Sequence, residues 1–271
     1  MIRLIFSDMD GTLLDENGKL PGGFGDLYRR LRERGIRFAP ASGRQYSSLL
    51  QTFAPWQEEL IFVAENGTMV MERGRELFSR TVDRALALDV MRTAGELPHV
   101  GSVFCGKKGG YLHADDDAPA FRAELAKYVT QTVIVDDFGA VDDEPIKMSF
   151  CDFTGNAEQT ILPIMRQYAD RLQVTLSSTE WVDLYSRGVN KGVAAAKIQA
   201  RLGIVPEECA AFGDYENDLE LMDAVGYSFA MENALPEVKA RARYLAPSNR
   251  AHGGMEGCER ILAGGCDCGN P

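Results

Sequence analysis

Near its amino terminus the chain reads Arg3-Leu4-Ile5-Phe6-Ser7-Asp8-Met9-Asp10-Gly11-Thr12, a short apolar run that ends on acid. Arg3 to Ser7 has the length and composition of a buried strand, and Gly11 permits a tight turn just beyond it. Asp8 and Asp10, one residue apart at the strand end, can point into one site while Met9 packs the other way. Two such carboxylates repel. The arrangement makes sense with a cation between them, or with one carboxyl carrying a proton and serving as acid/base. The Thr12 hydroxyl and nearby backbone N–H groups offer an anion a place. Taken alone, the same residues also read as a turn cap with local Asx hydrogen bonds.

Outward from this stretch, strand and helix alternate. Phe24 to Arg34 puts Phe24, Leu27 and Leu31 on one helical face, and Gly35 stops it. Ile36 to Ala39 is the next strand and runs into Ser42-Gly43-Arg44. A polar helix from Ser47 to Phe53 precedes the strand Leu60 to Ala64. Strands about 25 residues apart with helices between them imply βαβ units and a parallel sheet. After about Arg80 the pattern changes to closely spaced strands at Val100–Cys105, Gly110–His113, Thr132–Val135, Ile146–Phe153, Leu172–Ser177 and Trp181–Tyr185. Helices are expected at Val82–Ala94, Ala118–Tyr128 and Ala157–Tyr168. Short connections there suggest antiparallel hairpins. The first pattern resumes with a helix from Lys191 to Leu202, a strand from Cys209 to Phe212 and further elements to Ala246. The expected fold is therefore α/β: a Rossmann-like, mostly parallel sheet built from 1–81 and 186–271, with an α+β unit containing an antiparallel sheet inserted at 82–185.

Composition bounds the function. The 271 residues are 45% hydrophobic and 25% charged, enough for a sizeable core. Forty acidic against 29 basic residues give a net charge of −11, which disfavours a nucleic-acid partner. No apolar run approaches a membrane span and no signal-peptide core precedes the first carboxylates, so a cytoplasmic protein is expected. Cys105, Cys151 and Cys209 sit in or beside strand-like runs and read as buried thiols. Cys258, Cys266 and Cys268 crowd the other end without zinc-ligand spacing and read as an incidental, loose terminus.

Further along, Gly213-Asp214-Tyr215-Glu216-Asn217-Asp218 also follows an apolar strand, so Asp214 can join Asp8 and Asp10. Asn217 and Asp218 face back one turn later. Converging acids without histidine or thiol favour a hard, oxygen-seeking ion, magnesium first. Ser42 and Gly43, at their own strand end, offer hydroxyl and backbone donors to phosphate. Lys191 opens a helix where its ammonium can neutralise phosphate and restrain a carboxylate nucleophile; in isolation it would read as a surface lysine.

In order along the chain, Asp8-Met9-Asp10-Gly11-Thr12, Ser42-Gly43-Arg44, Asn190-Lys191-Gly192 and Gly213 to Asp218 resemble the four signature motifs of the haloacid dehalogenase superfamily. With Glu65-Asn66-Gly67, the chain is similar to its Cof-type sugar-phosphatase branch up to about residue 262, and the insertion resembles that superfamily's larger cap. The resemblance implies a Mg²⁺-dependent phosphomonoester hydrolase of small phosphorylated metabolites, sugar phosphates foremost, acting through an aspartyl-phosphate. By the same resemblance Asp8 is the nucleophile and a metal ligand, Asp10 the acid/base that also lends the metal its backbone carbonyl, and Asp214 the remaining carboxylate ligand. Asn217 and Asp218 support the metal loop, while Thr12, Ser42, Gly43 and Lys191 bind the phosphoryl group. Arg44, bordering the pocket, is a candidate substrate contact, and the chain is expected to be a monomer or weak homodimer. Alternatives are a hexose-phosphate phosphomutase and a non-catalytic sensor, though Asp8 and Asp10 are both retained. A kinase or GTPase would need a Walker-type loop, which is missing. One departure is His252, in Ser248-Asn249-Arg250-Ala251-His252, where the family often carries an acid; Asn249 can still brace the acidic loop. In the insertion Lys107, Lys108 and Asp183 are polar candidates, each read first as a solvated face.

Overall fold

The computed structural model describes residues 1–264. Its central sheet is five-stranded and parallel throughout, in the order Tyr244–Ala246, Tyr227–Met231, Cys209–Gly213, Leu4–Ser7, Arg37–Pro40. Leu4–Ser7 and Cys209–Gly213 are buried at every position, as strands covered on both faces must be. Register sets Ser7 level with Phe212 on one side and with Pro40 on the other. The residues that follow these strands, Asp8, Ser42 and Asp214, therefore emerge at one edge of the sheet, where α/β folds keep their chemistry.

The strand Ile61–Ala64 stands at the margin of this sheet. It joins the sheet through a single parallel bridge between Ala41 and Val63. Its other edge pairs antiparallel with Met69–Glu72, which pairs with Arg75–Ser79. This hairpin is not expected from the sequence. Glu72 faces Arg75, so Arg73-Gly74 is a two-residue loop with φ of +52° and +69°, the mirror-image turn that suits strand twist.

The insertion carries a six-stranded sheet in the order Leu172–Leu176, Trp181–Ser186, Pro145–Asp152, Val100–Gly106, Gly110–His113, Thr132–Val135. All neighbours are antiparallel except the last pair, which is parallel because the helix Pro119–Leu125 carries the chain across between them. Phe104, Met148 and Leu184 pack one face into a second apolar core with Val90 and Met91. On the opposite face Val103, Lys147, Ser149 and Asp183 look towards the central sheet's active edge. The expected helix Ala157–Tyr168 is broken into Ala157–Thr160 and Leu162–Met165, since Pro163 has no N–H to continue the ladder.

Also unexpected is the helix Gly253–Leu262. Its glycines argue against a helix by propensity, but a Cβ at Gly257 would strike the Phe212 ring, so close packing holds it instead. Cys258, read as part of a loose terminus, is buried in this helix, and burial alone pushes its thiol up to about 12. Cys105, Cys151 and Cys209 are buried and unpaired. Cys266 and Cys268 lie outside the described residues. Among the described residues no helix is long and apolar enough to cross a membrane.

Candidate active site

The turn Met9–Leu13 closes when the Leu14 N–H donates to the Met9 carbonyl at 2.8 Å. Within it Gly11 takes φ +76°, and a Cβ there would run into the Asp214 carboxylate. That glycine lets two acidic loops meet. Oxygens of Asp8, Asp214 and Asp218 lie within 4.8 Å of one another, and all three residues are buried. Lys191 Nζ sits among them, 2.5 Å from Asp8 Oδ1 and 2.7 Å from Asp218 Oδ1. The lysine is fixed by its helix start, where the Asn190 side chain accepts from the Val193 N–H at 2.8 Å.

The three acids differ in what they have left to offer. Asp218 is spent: its Oδ2 also accepts the backbone N–H groups of Asp214 at 3.0 Å and Tyr215 at 3.3 Å. It shapes the loop. Asp214 Oδ1 accepts from Thr12 Oγ1 at 2.8 Å, so the Thr12 hydroxyl, read as a phosphate donor, is committed to orienting Asp214. Asn217 donates to Asn66 Oδ1 at 3.0 Å and ties the acidic loop to Glu65–Gly67.

Burial pushes the Asp8 carboxyl well above its ordinary range, the charges of Asp218 and Asp214 add to this, and Lys191 opposes it. Burial and Asp218 raise Asp214 to about 7 against the Thr12 hydrogen bond. Burial would lower Lys191, but the charges of Asp218 and Asp8 more than reverse that. Three carboxylates facing one ammonium leave an excess of negative charge in a donor set made only of oxygen. Such a set fits a hard divalent cation.

Asp10 stands outside this trio. Its carboxylate takes both arms of Arg44, Nε to Oδ2 at 2.7 Å and Nη2 to Oδ1 at 2.5 Å. Arg44 lines the cavity, its side-chain hydrogen bonds go to Asp10, and its guanidinium lies 5.5 Å from the Tyr128 ring centre in the insertion. Ser42 is buried beside Asp8 with its Oγ accepting the Arg44 N–H at 3.2 Å, and the Gly43 carbonyl accepts from Lys147 at 2.6 Å.

Asp8, Asp10, Ser42 and Gly43 form one end of a partly open cavity whose other walls come from the inserted sheet and the helix Pro119–Leu125 with the residues after it. Asp183, read as a solvated residue, is 3% exposed in its wall and accepts from Asn66, Ser149 and Ser177 at 2.6 to 2.7 Å. Lys147, which sequence reading missed, sits 2.7 Å from Glu65. The signal for it was its place in a strand, where a cross-strand row with Cys105 and Tyr185 turns it inward. Lys107 instead pairs with Glu76 and Glu144, and Lys108 donates to the Asp142 carbonyl, away from the cavity lining. His252 is exposed at the start of Gly253–Leu262 with φ +58°. Asn249, expected to brace the acidic loop, instead donates to the Leu14 carbonyl at 3.1 Å, and its N–H is accepted by Asn233, a residue not anticipated, which donates to the Gly11 carbonyl at 2.8 Å and to Asp214 at 3.4 Å.

Gly67 takes φ +90°, and a Cβ there would meet the Asn190 carbonyl just before Lys191. Gly67→Ala is expected to cost about 2 kcal/mol, read as a lowered urea midpoint, and to cut turnover by moving Lys191.

A lysine bracketed by buried aspartates at the carboxyl edge of a parallel sheet, under an inserted sheet, defines an enzyme of phosphoryl-group chemistry. Residues 5–256 match the family of haloacid dehalogenase-like hydrolases. The chain is 33% identical over 268 residues to the 5-amino-6-(5-phospho-D-ribitylamino)uracil phosphatase of Escherichia coli, covering 96% of each. It is 27% identical to the HMP-PP phosphatase of Klebsiella pneumoniae, covering 90% of this chain and 89% of that one. A solved protein of Streptococcus mutans superposes with a TM-score of 0.89 at 28% identity, over 97% of this chain and 100% of the other. The chain belongs to the haloacid dehalogenase-like hydrolases, in their Cof-like branch. It is a magnesium-dependent phosphatase of small phosphorylated metabolites.

Proposed function

We propose that the enzyme hydrolyses its phosphomonoester in two displacements through Asp8, and that the substrate presents its phosphate on a sugar or polyol arm. The observation that carries this reading is the Lys191 contact: Asp8 is held by one oxygen at 2.5 Å, which leaves the other to face the cavity. In the first displacement an Asp8 oxygen bonds to phosphorus, the ester P–O bond breaks, and the leaving oxygen takes a proton from Asp10. In the second, water attacks the aspartyl-phosphate, Asp10 receives its proton, and phosphate leaves Asp8. Ser42 and the backbone of Gly43 hold phosphoryl oxygens, and Arg44 fixes the direction of the Asp10 carboxyl. Asp8, Asp214 and the Asp10 carbonyl would hold magnesium, which would supply positive charge to the phosphoryl oxygens. Residues 1–81 with 186–271 act as the catalytic unit and 82–185 as the cap that meets the leaving group.

Chelation is expected to reduce phosphate release by about 100-fold or more, with recovery on adding Mg²⁺. Recovery with zinc but not with magnesium would contradict an all-oxygen site.

A further inference from the structure

The far end of the cavity is built differently from the phosphate end. Its wall is apolar and aromatic: Val103, Leu125, Tyr128, Val129 and Trp181 line it. Tyr128 and Trp181 pack edge to face, with ring centres 5.5 Å apart at 66°. Into this apolar wall the fold has placed polar atoms that find no partner. Both amide atoms of Gln45 and the indole Nε1 of Trp181 are buried and make no hydrogen bond among the described residues. Gln45 is 5% exposed and Trp181 7%.

Orphaned buried donors and acceptors are costly, and native proteins keep few of them without a use. Here three orphaned atoms come from two residues that line the same cavity. Of the cavity's other polar side chains, Asp183 is committed to three donors and Lys147 to the Gly43 carbonyl; Glu65 also makes no hydrogen bond, but its charge is matched by Lys147 at 2.7 Å. Gln45 is also held in place. It sits two residues beyond Gly43, and its backbone N–H donates to the Tyr128 carbonyl at 3.0 Å, so the core loop and the insertion meet at this point.

We propose that Gln45 and Trp181 form a subsite for a planar heteroaromatic ring on the leaving group. An amide supplies one acceptor and one donor side by side, the indole supplies a further donor, and the Tyr128 and Trp181 rings supply flat apolar surface. A ring whose edge alternates carbonyl and N–H groups, as a pyrimidinedione does, satisfies all three orphaned atoms. Sugar hydroxyls can also donate and accept, but a bare sugar phosphate leaves the aromatic wall uncovered. The leaving group is then a ring joined to the phosphate by a polyol arm that spans the cavity. This deepens the proposed function and rests on it, because the arm must deliver its phosphate to Asp8.

The test compares two substrates that share the phosphate and the arm: 5-amino-6-(5-phospho-D-ribitylamino)uracil and D-ribitol 5-phosphate. In the native enzyme kcat/KM for the ring-bearing ester is expected to exceed that for the ringless one by about 10³-fold, because an unfilled hydrogen-bonding subsite discriminates strongly. Gln45→Leu keeps the volume and removes the amide; Trp181→Phe keeps an aromatic wall and removes the N–H. Each is expected to lower that ratio by about tenfold or more, mainly through KM for the ring-bearing ester. Quenching of tryptophan fluorescence by the ring-bearing ester in Asp8→Asn should weaken in parallel in the Gln45→Leu double variant. A native ratio near one, or a ratio unchanged in both variants, overturns the subsite while leaving the phosphatase reading intact. Hydrolysis of neither ester, nor of any other small phosphomonoester, overturns the reading of Asp8 and the subsite with it.

Discussion

Asp8→Asn is expected to lower kcat by about 10⁵-fold or more while the protein stays folded. The substituted amide keeps the shape of the side chain but gives up the carboxylate oxygen that bonds to phosphorus in the proposed reaction. Its neighbours are already arranged to survive the change. Lys191 retains Asp218 at 2.7 Å, so its ammonium is not stranded. Burial and the charges of Asp218 and Asp214 work against an ionised Asp8, so in the presence of chelator a neutral side chain there relieves repulsion. The chelated variant should therefore melt no lower than the chelated wild type. Turnover within tenfold of the wild type would remove Asp8 from the role of nucleophile.

Lys191→Met should be harmful in two ways at once. Its side chain is 0% exposed, and its partners Asp8 and Asp218 are 8% and 0% exposed. Removing the ammonium that contacts both leaves buried like charges facing each other. Breaking a buried pair in this manner costs about 3–5 kcal/mol. Urea unfolding followed in chelator should show that loss. Activity should fall by about 10³-fold even where Mg²⁺ restores the fold, because the proposed reaction loses a fixed cation beside Asp8. Restoration of both stability and rate by magnesium alone would show the lysine to be dispensable. Lys191→Arg is not a rescue, since the planar guanidinium does not fit a space closed on every side.

The sequence made the centre of the site legible because its residues lie directly after buried strands. Asp8, Ser42 and Asp214 follow apolar runs, and parallel register leaves no choice but to bring those ends together. Residues that depend on a second partner were harder to read. The Thr12 hydroxyl has the chemistry to hold phosphate, yet the turn at Gly11 aims it at Asp214. Arg44 borders the pocket, but the position of Asp10 decides what it binds. Gln45 and Trp181 were invisible as readers, because what singles them out is the lack of a partner, which no local pattern records. The same distinction applies to the fold. Helices and strands with a clear period were found, whereas the Met69–Ser79 hairpin and the Gly253–Leu262 helix were not. The hairpin's signal is a bare Arg73-Gly74 turn between half-exposed strands, and the helix owes its existence to contact with Phe212 and not to its own residues.

The chemistry stands or falls on a covalent bond to Asp8. Enzyme quenched with acid during turnover, reduced with borohydride and digested should yield the peptide around Asp8 with that residue converted to homoserine, since hydride reduces an acyl phosphate to the alcohol. Substrate consumed at the normal rate with Asp8 recovered unmodified, or the reduction found at another carboxyl residue, would contradict the two-displacement account.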